Sequence, residues 1–469
     1  MAELHFGTDG WRAIIGEGFT FHNVRRIGQA LADYLLENDA NIRGVCVGYD
    51  TRFLSGQFAL TIAEVVASNR IPVWLSQGYI PTPVVAFTVK NQQLNAGIMI
   101  TASHNPSHYN GIKFKANYGG PASVTTTKTI EKYVGKSTIR HDLKIAREYL
   151  QFADFFPGYR EHLRNWLNIE LLRRFRMPVV VDPLHGAGCR YLSSLLQTIP
   201  LSVHSINNHP DPLFGGLTPE PIAKNLSGLK RAVSRHKAAL GLALDGDGDR
   251  FGVVDEEGRF VELHDLFPLL FRHLVHSRQW SGDVVRTTSL ADTIDRVAEE
   301  FQRKCDEVPV GFKNVTEVML KKDILIGGEE SGGFGYKNHL PERDGLLSCL
   351  LVLEMLVRAD HSLKDLVAEL RRRYGPFHYL RKDVYADAKL LCTNFERLRQ
   401  NPPQKIGRLK VNKTDLNDGI KFYFPECAWL LIRLSQTEPM VRFYVGGSDA
   451  KVVRRLLRGG MDLVLPEKT

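Results

Sequence analysis

Apolar residues recur along this chain with two different spacings. Val24, Ile27, Leu31 and Leu35 share one face at helical spacing, and the run GVCVGY at 44–49 that follows reads as a strand. A second helix is expected near Phe58 to Val66, then the strand IPVWL at 71–75 and the apolar run AGIMITA at 96–102. MPVVVD from Met177, LSVHSI from Leu201 and the run Ala238–Leu244 open a second unit of the same kind. DVVRTTS from Asp283, DEVPV from Asp306 and DILI from Asp323 open a third. Strands alternating with helical patterns are the signature of α/β units. From about Arg373 the texture changes to the short strands KDVYA, GIKFYF and LLIRL, with a basic helix near Asp449 to Arg458, an α+β ending.

The length, 469 residues, allows roughly three domains of about 150 residues, or four small ones. The seams are placed near Phe156, Glu257 and Tyr374, which divides the chain into 1–156, 157–257, 258–373 and 374–469. Six cysteines without paired metal spacing or a secreted framework read as reduced thiols. The start, MAELHF, lacks the basic and apolar regions of a signal peptide, and no apolar run approaches a membrane span. A cytoplasmic protein with no membrane partner is expected. The net charge of +9 raises nucleic-acid binding, with RRFR at 173–176 and RRR at 371–373 as its support. Those runs fall at helix ends, where cations are favoured, and no binding motif accompanies them, so no nucleic-acid partner is expected. A basic cleft for doubly anionic sugars accounts for part of the charge.

Four short segments carry the candidate chemistry, each after a strand-like run, where open α/β sheets bind ligands. TASHNPSHYNGIKF at 101–114 sets Ser103 beside the donors His104 and Asn105, with Gly111 for a close backbone approach and Lys113 as a cation and possible base. DGDGDR at 245–250 alternates Asp245, Asp247 and Asp249 with glycine, and three carboxylates so close call for a divalent cation. Glu256 at the twelfth position mimics a calcium loop, but Arg250 occupies the sixth, where that loop needs glycine. Few protein ligands on a hard cation suit Mg2+, which leaves a place for a phosphate on Ser103. GGEESGGFG at 327–335 offers Glu329 and Ser331 to the vicinal hydroxyls of a sugar, or is a plain glycine-rich hairpin. WLLIRLSQTEP from Trp429 offers Arg433, Ser435 and Thr437 as a phosphate cradle.

In this order along the whole chain, these segments resemble the alpha-D-phosphohexomutase superfamily of phosphoglucomutases and phosphomannomutases. FGTDGWR at 6–12 is similar to that family's opening motif, and GFK at 311–313 to a cleft-wall segment. The resemblance implies three related α/β domains with mixed sheets and a smaller α+β C-terminal domain around a central cleft. It implies transfer of phosphate between the 1- and 6-positions of a hexose through a phosphoserine and a sugar bisphosphate. Carried over residue by residue, Ser103 is the phosphoserine and completes the Mg2+ site of Asp245, Asp247 and Asp249. Arg12, His104 and Lys113 surround it, with Lys113 as the base. Arg250 and Lys313 contact substrate, Glu329 and Ser331 read the sugar, and Arg433, Ser435 and Thr437 hold the distal phosphate. Asp344 and Gly345 close the sugar-loop region as the family does, although either also reads as a helix cap.

Two details refine the expectation. The family's distal loop usually reads SGTEP, whereas Gln436 stands here in the glycine's place. Glutamine would strain a backbone of positive φ and crowd the phosphate. The sugar loop reads GEES, closer to the family's glucose-selective members than to the dual-specificity ones with GEMS or GELS. Glucose 1-phosphate is therefore the expected substrate, with glucose 1,6-bisphosphate as intermediate and activator, mannose phosphate a weaker substrate, and the protein a monomer or weak dimer. Two alternatives share the site: a glucose 1,6-bisphosphate synthase with a separate phosphoryl donor, and a metal-dependent phosphatase.

Overall fold

The computed structural model describes residues 4, 6–7, 10–197, 199–435 and 440–465. Its first sheet has seven strands, six of them in the order Trp11–Ile14, Tyr109–Ala116, Ala96–Ile100, Val45–Tyr49, Val73–Ser76 and Leu150–Ala153, with Gly120–Pro121 against the second. The last four of those six run parallel, Tyr109–Ala116 is antiparallel to them, and Trp11–Ile14, antiparallel to Tyr109–Ala116, runs in their direction again. The second sheet orders Phe260–Val261, Phe251–Asp255, Leu240–Leu244, Val179–Asp182 and Val203–Ser205, again mixed. The third orders Cys305–Val308, Asp283–Thr287, Ile324–Gly328 and Phe334–Tyr336. In all three the parallel strands are joined by an antiparallel hairpin, and each hairpin carries one of the candidate segments. The fourth sheet is antiparallel throughout, from His378–Tyr385 through Met440–Gly447, Trp429–Leu434 and Ile420–Tyr423 to Lys413–Asp415. The fold is thus three mixed α/β units followed by a smaller α+β one.

Local sequence explains the elements. Helix Phe21–Asn38 buries Val24, Ile27, Leu31 and Leu35 and opens on Thr20, whose side chain accepts from the Asn23 amide. Helix Gly345–Ala359 is apolar nearly all round, and it is buried nearly all round. Its Glu354 is buried with it and is held by Arg278 at 2.6 Å and His273 at 3.0 Å. One apolar cluster runs without interruption from Val84 and Val85 through Leu240 and Leu242 to Leu347 and Leu350, so the first three units share a core. The C-terminal helix runs Ala450–Val464, six residues beyond the expected end at Arg458. Gly460 lets it lie against strand Trp429–Leu434, since a Cβ there would come within 2.8 Å of Leu430. The arginine runs are engaged inside the chain: Arg371 pairs with Asp265 at 2.6 Å, Arg173 with Glu170 at 2.7 Å, and Arg373 with Glu300. All six cysteines are unpaired. Among the described residues no helix is long and apolar enough to cross a membrane.

The fourth unit joins the third through a buried histidine. His264 of helix Leu263–Arg278 accepts from the Ala291 amide at 3.1 Å and lies 5.1 Å from the Phe377 ring and 4.2 Å from Tyr379. Burial alone lowers its pKa to about 3. The unfolded ring protonates near pH 6.5, so between those values the unfolded state binds more protons. The stabilisation is whole above about pH 6.5 and is lost as pH falls, the loss reaching about 2 kcal/mol at pH 5. His264→Gln keeps an acceptor for Ala291 without the titration. Its melting temperature should fall less than that of the parent between pH 7 and pH 5, and equal slopes would refute the assignment.

Candidate active site

Strand Ala96–Ile100 leaves the first sheet at its carboxyl end, and the chain turns through 101–108 before returning as Tyr109–Ala116. The turn is tight because Gly111 pairs with Arg12 in a space where a Cβ would lie 2.5 Å from the Thr101 carbonyl and 2.7 Å from that of Trp11. Ser103 is fully buried and takes a left-handed backbone, φ 51°. That conformation costs a non-glycine residue about 1 kcal/mol or more. Its amide donates to Thr101 Oγ1 at 2.9 Å and its hydroxyl to Asp245 Oδ2 at 2.8 Å. His104 Nδ1 stands 3.5 Å from the same hydroxyl, and Arg12 donates to Asn105 Oδ1 at 2.6 Å. Burial first, then the cations Arg250, Arg12, Arg381 and Arg442, hold the His104 imidazole well below its ordinary pKa. A neutral ring therefore faces the serine.

The second hairpin brings its acids to that serine. Asp245, Asp247 and Asp249 are fully buried, and one oxygen from each lies within 4.8 Å of the others. Asp245 Oδ1 accepts from the Arg250 amide at 3.1 Å. Lys113 reaches across from the first sheet to Asp247 Oδ2 and Asp249 Oδ2, both at 2.8 Å, while Thr82 donates to Asp247 Oδ2 at 2.5 Å. Among the described residues, Asp247 Oδ1 and Asp249 Oδ1 are buried without a hydrogen-bond partner. Burial and its two carboxylate neighbours push the Asp245 carboxyl well up. Burial also pushes on Asp247, but the Lys113 charge and the Lys113 and Thr82 hydrogen bonds bring its pKa below the usual carboxylate range. Orphaned oxygens on adjacent buried carboxylates are what a hard divalent cation satisfies, so the residues fit Mg2+. Lys113 is 1% exposed and sits between two carboxylates as a cation, so the acceptor role expected of it requires those carboxylates to be engaged elsewhere.

The glycine-rich third segment is a hairpin, Ile324–Gly328 against Phe334–Tyr336, with Glu329 directly after its first strand. Glu329 is 4% exposed and accepts from the Gly311 amide at 3.1 Å; Gly311 caps helix Phe312–Lys321, which carries half-buried Lys313. Arg343 joins the two loops, with Asp249 at 2.8 Å and Glu329 at 3.5 Å. Ser331 is half-buried, and Asp344 caps helix Gly345–Ala359 by accepting from the Leu347 amide at 2.9 Å. Arg343 and Thr82 belong to none of the sequence motifs. The ERDG run before the helix marks Arg343 faintly, and Thr82 has no local signal. In the fourth unit Arg433, next to last in strand Trp429–Leu434, binds Asp418 at 2.8 Å, while the Ser435 amide donates to the Met440 carbonyl at 2.9 Å. Thr437 and Gln436 lie outside the described residues. This unit contacts the others through Arg381 and Glu220 at 4.0 Å and through Lys421, which donates to the Thr288 carbonyl at 2.8 Å.

Family models for the four phosphoglucomutase/phosphomannomutase domains match the chain in order: alpha/beta/alpha domain I over residues 3–140, domain II over 157–258, domain III over 264–374 and the C-terminal domain over 362–458. The chain is 30% identical over 463 residues to a phosphoglucomutase/phosphomannomutase of Thermococcus kodakarensis, covering 98% of each. It is 29% identical over 431 residues to a phosphoglucosamine mutase of Methanococcus maripaludis, covering 90% of this chain and 92% of that one. The crystal structure of a proposed phosphomannomutase from Thermus thermophilus superposes with a TM-score of 0.87 at 34% identity, over 99% of this chain and 100% of that one. Four domain matches in register and full-length relatives, laid on a hairpin serine bonded to a buried acid triad, establish that the chain belongs to the phosphoglucomutase/phosphomannomutase family of intramolecular phosphotransferases.

Proposed function

We propose that this protein interconverts glucose 1-phosphate and glucose 6-phosphate, with Ser103 as phosphate carrier and glucose 1,6-bisphosphate as intermediate. The observation that carries the reading is the 2.8 Å bond from the Ser103 hydroxyl to Asp245, at the edge of a carboxylate cluster with two orphaned oxygens. Asp245, Asp247, Asp249 and the phosphate of Ser103 would hold Mg2+. When bound, Mg2+ neutralises phosphoryl oxygens and favours charge build-up on them. In the first half-reaction the free hydroxyl of the sugar phosphate attacks phosphorus and gives its proton to a base, the role assigned to Lys113, while the bond to Ser103 Oγ breaks and that oxygen takes up a proton. Glu329 and Ser331 hold the sugar hydroxyls, and Lys313, Arg250 and Arg12 supply positive charge around the transferring group. After the bisphosphate turns end for end, Ser103 Oγ gives up its proton and attacks the other phosphate, the bond from that phosphorus to the sugar oxygen breaks, and the sugar oxygen takes up the proton. Arg433, Ser435 and Thr437 would hold whichever phosphate is not reacting.

Glucose is favoured by the GEES loop, and the relatives named for glucosamine or mannose phosphates set the comparison. Purified protein is incubated with Mg2+, a trace of glucose 1,6-bisphosphate and glucose, mannose or glucosamine 1-phosphate in turn. The 6-phosphate, released bisphosphate and free phosphate are followed together. The largest kcat/KM is expected with glucose 1-phosphate. Faster turnover of glucosamine phosphate would reassign the substrate, accumulation of bisphosphate would favour the synthase, for which Gln436 is the motive, and free phosphate would favour a phosphatase.

A further inference from the structure

We propose that Arg52 is a positioning residue that holds Ser103 in its reactive backbone conformation and in register with the acid cluster, an inference that rests on the mutase reading. Arg52 lies in the loop after strand Val45–Tyr49, beside the phosphoserine loop and buried with its partner Asp50, both side chains 0% exposed. Its guanidinium spends itself on the backbone of that loop. Nη2 donates to the carbonyls of Ser103 at 2.6 Å and Asn105 at 2.7 Å, and Nη1 to those of Pro106 at 2.8 Å and Tyr109 at 3.0 Å. Nε donates to Asp50 Oδ2 at 3.1 Å.

Asp50 completes the grip from the other side of Ser103. Its Oδ2 accepts from Thr101 Oγ1 at 2.6 Å, and Thr101 Oγ1 in turn accepts the Ser103 amide at 2.9 Å. One buried ion pair therefore ties both the N–H and the C=O of the serine that carries φ 51°. The planar fork of arginine suits the task, since lysine has a single nitrogen and cannot span four carbonyls. The Ser103 carbonyl also lies against the acid loop, where a Cβ on Gly246 would approach it to 2.4 Å.

The same loop docks on the unit that carries the acids. Thr51 Oγ1 donates to the His185 carbonyl at 2.9 Å, and the Arg52 guanidinium lies 4.9 Å from the centre of the Phe214 ring. Ser103 and Asp245 are 142 residues apart in the chain, and their 2.8 Å contact depends on how the first two units are set. Arg52 touches both sides of that setting. A shift of about 1 Å in the serine oxygen is enough to cost on the order of 100-fold in rate.

The test uses full-length parent, Arg52→Lys and Arg52→Ala. Each is melted, each is assayed for kcat and KM with glucose 1-phosphate, and phosphate transfer from glucose 1,6-bisphosphate to Ser103 is timed by intact mass. Folded Arg52→Lys should lose about 100-fold in kcat and in the phosphorylation rate, with KM within about threefold. Millimolar guanidinium should restore part of the loss to Arg52→Ala. Turnover and phosphorylation of folded Arg52→Lys within threefold of the parent would overturn the proposal, as would a loss that tracks only the unfolded fraction. If the parent phosphorylates Ser103 without isomerising the sugar, the mutase reading falls and the phosphorylation rates still decide the role of Arg52. If the parent takes no phosphate on Ser103, both fall.

Discussion

Ser103→Ala should turn over glucose 1-phosphate at least about 10,000-fold more slowly than the parent, because a carrier mechanism has no route around its carrier oxygen. The substitution removes little else. The site is fully buried, alanine fills most of the serine's volume, and the left-handed backbone is no worse for one than for the other. What is lost is one hydrogen bond to Asp245, worth about 1 kcal/mol, or about 2–4 °C in melting temperature for domains of this size. A coupled assay for glucose 6-phosphate beside a thermal melt separates the two effects. Turnover within tenfold of the parent would remove Ser103 from the mechanism, and a collapse of the fold would leave the rate uninterpretable for this variant alone, so intact mass should also show the parent gaining one phosphate and Ser103→Ala none.

Chelation of divalent cations should abolish turnover, and Asp247→Asn should lower kcat by about 1000-fold while raising the Mg2+ concentration needed for half-maximal rate. The charge arrangement explains why the second effect is large. Asp247 keeps its charge under full burial because Lys113 and Thr82 bond one oxygen, which leaves the other oxygen buried and unpaired. Asparagine presents a neutral carbonyl or an amide where a cation requires charge. Lys113 retains Asp249 at 2.8 Å, so the variant should fold. Titrating Mg2+ against rate for both proteins checks the expectation. An unchanged Mg2+ dependence would place the cation elsewhere, and activity that survives chelation would remove it.

The parts of the site that were legible in the sequence are those whose chemistry is confined to a few neighbouring residues. Three aspartates alternating with glycine mark a candidate cation site because their mutual repulsion is local. The serine segment announces itself through a glycine that allows two backbones to touch and a lysine ten residues on. The helix Phe21–Asn38 was legible from its helical side-chain period, and the strand Leu240–Leu244, buried on both faces, from its uninterrupted apolar run. Arg52, Thr82 and Arg343 were not legible, because nothing near them in sequence distinguishes a working polar residue from a solvated one. Thr82 meets its carboxylate 165 residues away, and Lys115 finds Glu342, its buried partner at 2.5 Å, 227 residues away.

By itself the sequence determined which chemical groups are available, the order of α/β units and the strand ends at which each group stands. Packing of the units places Lys113 between Asp247 and Asp249, puts His104 beside Ser103 where burial and cations lower its pKa, and lets the Asp50–Arg52 pair grip Ser103 from both sides. The physical reason is that period and turn chemistry act over a few residues. Burial and Coulomb interactions depend on distance in space, which exists only once the sheets have packed on one another.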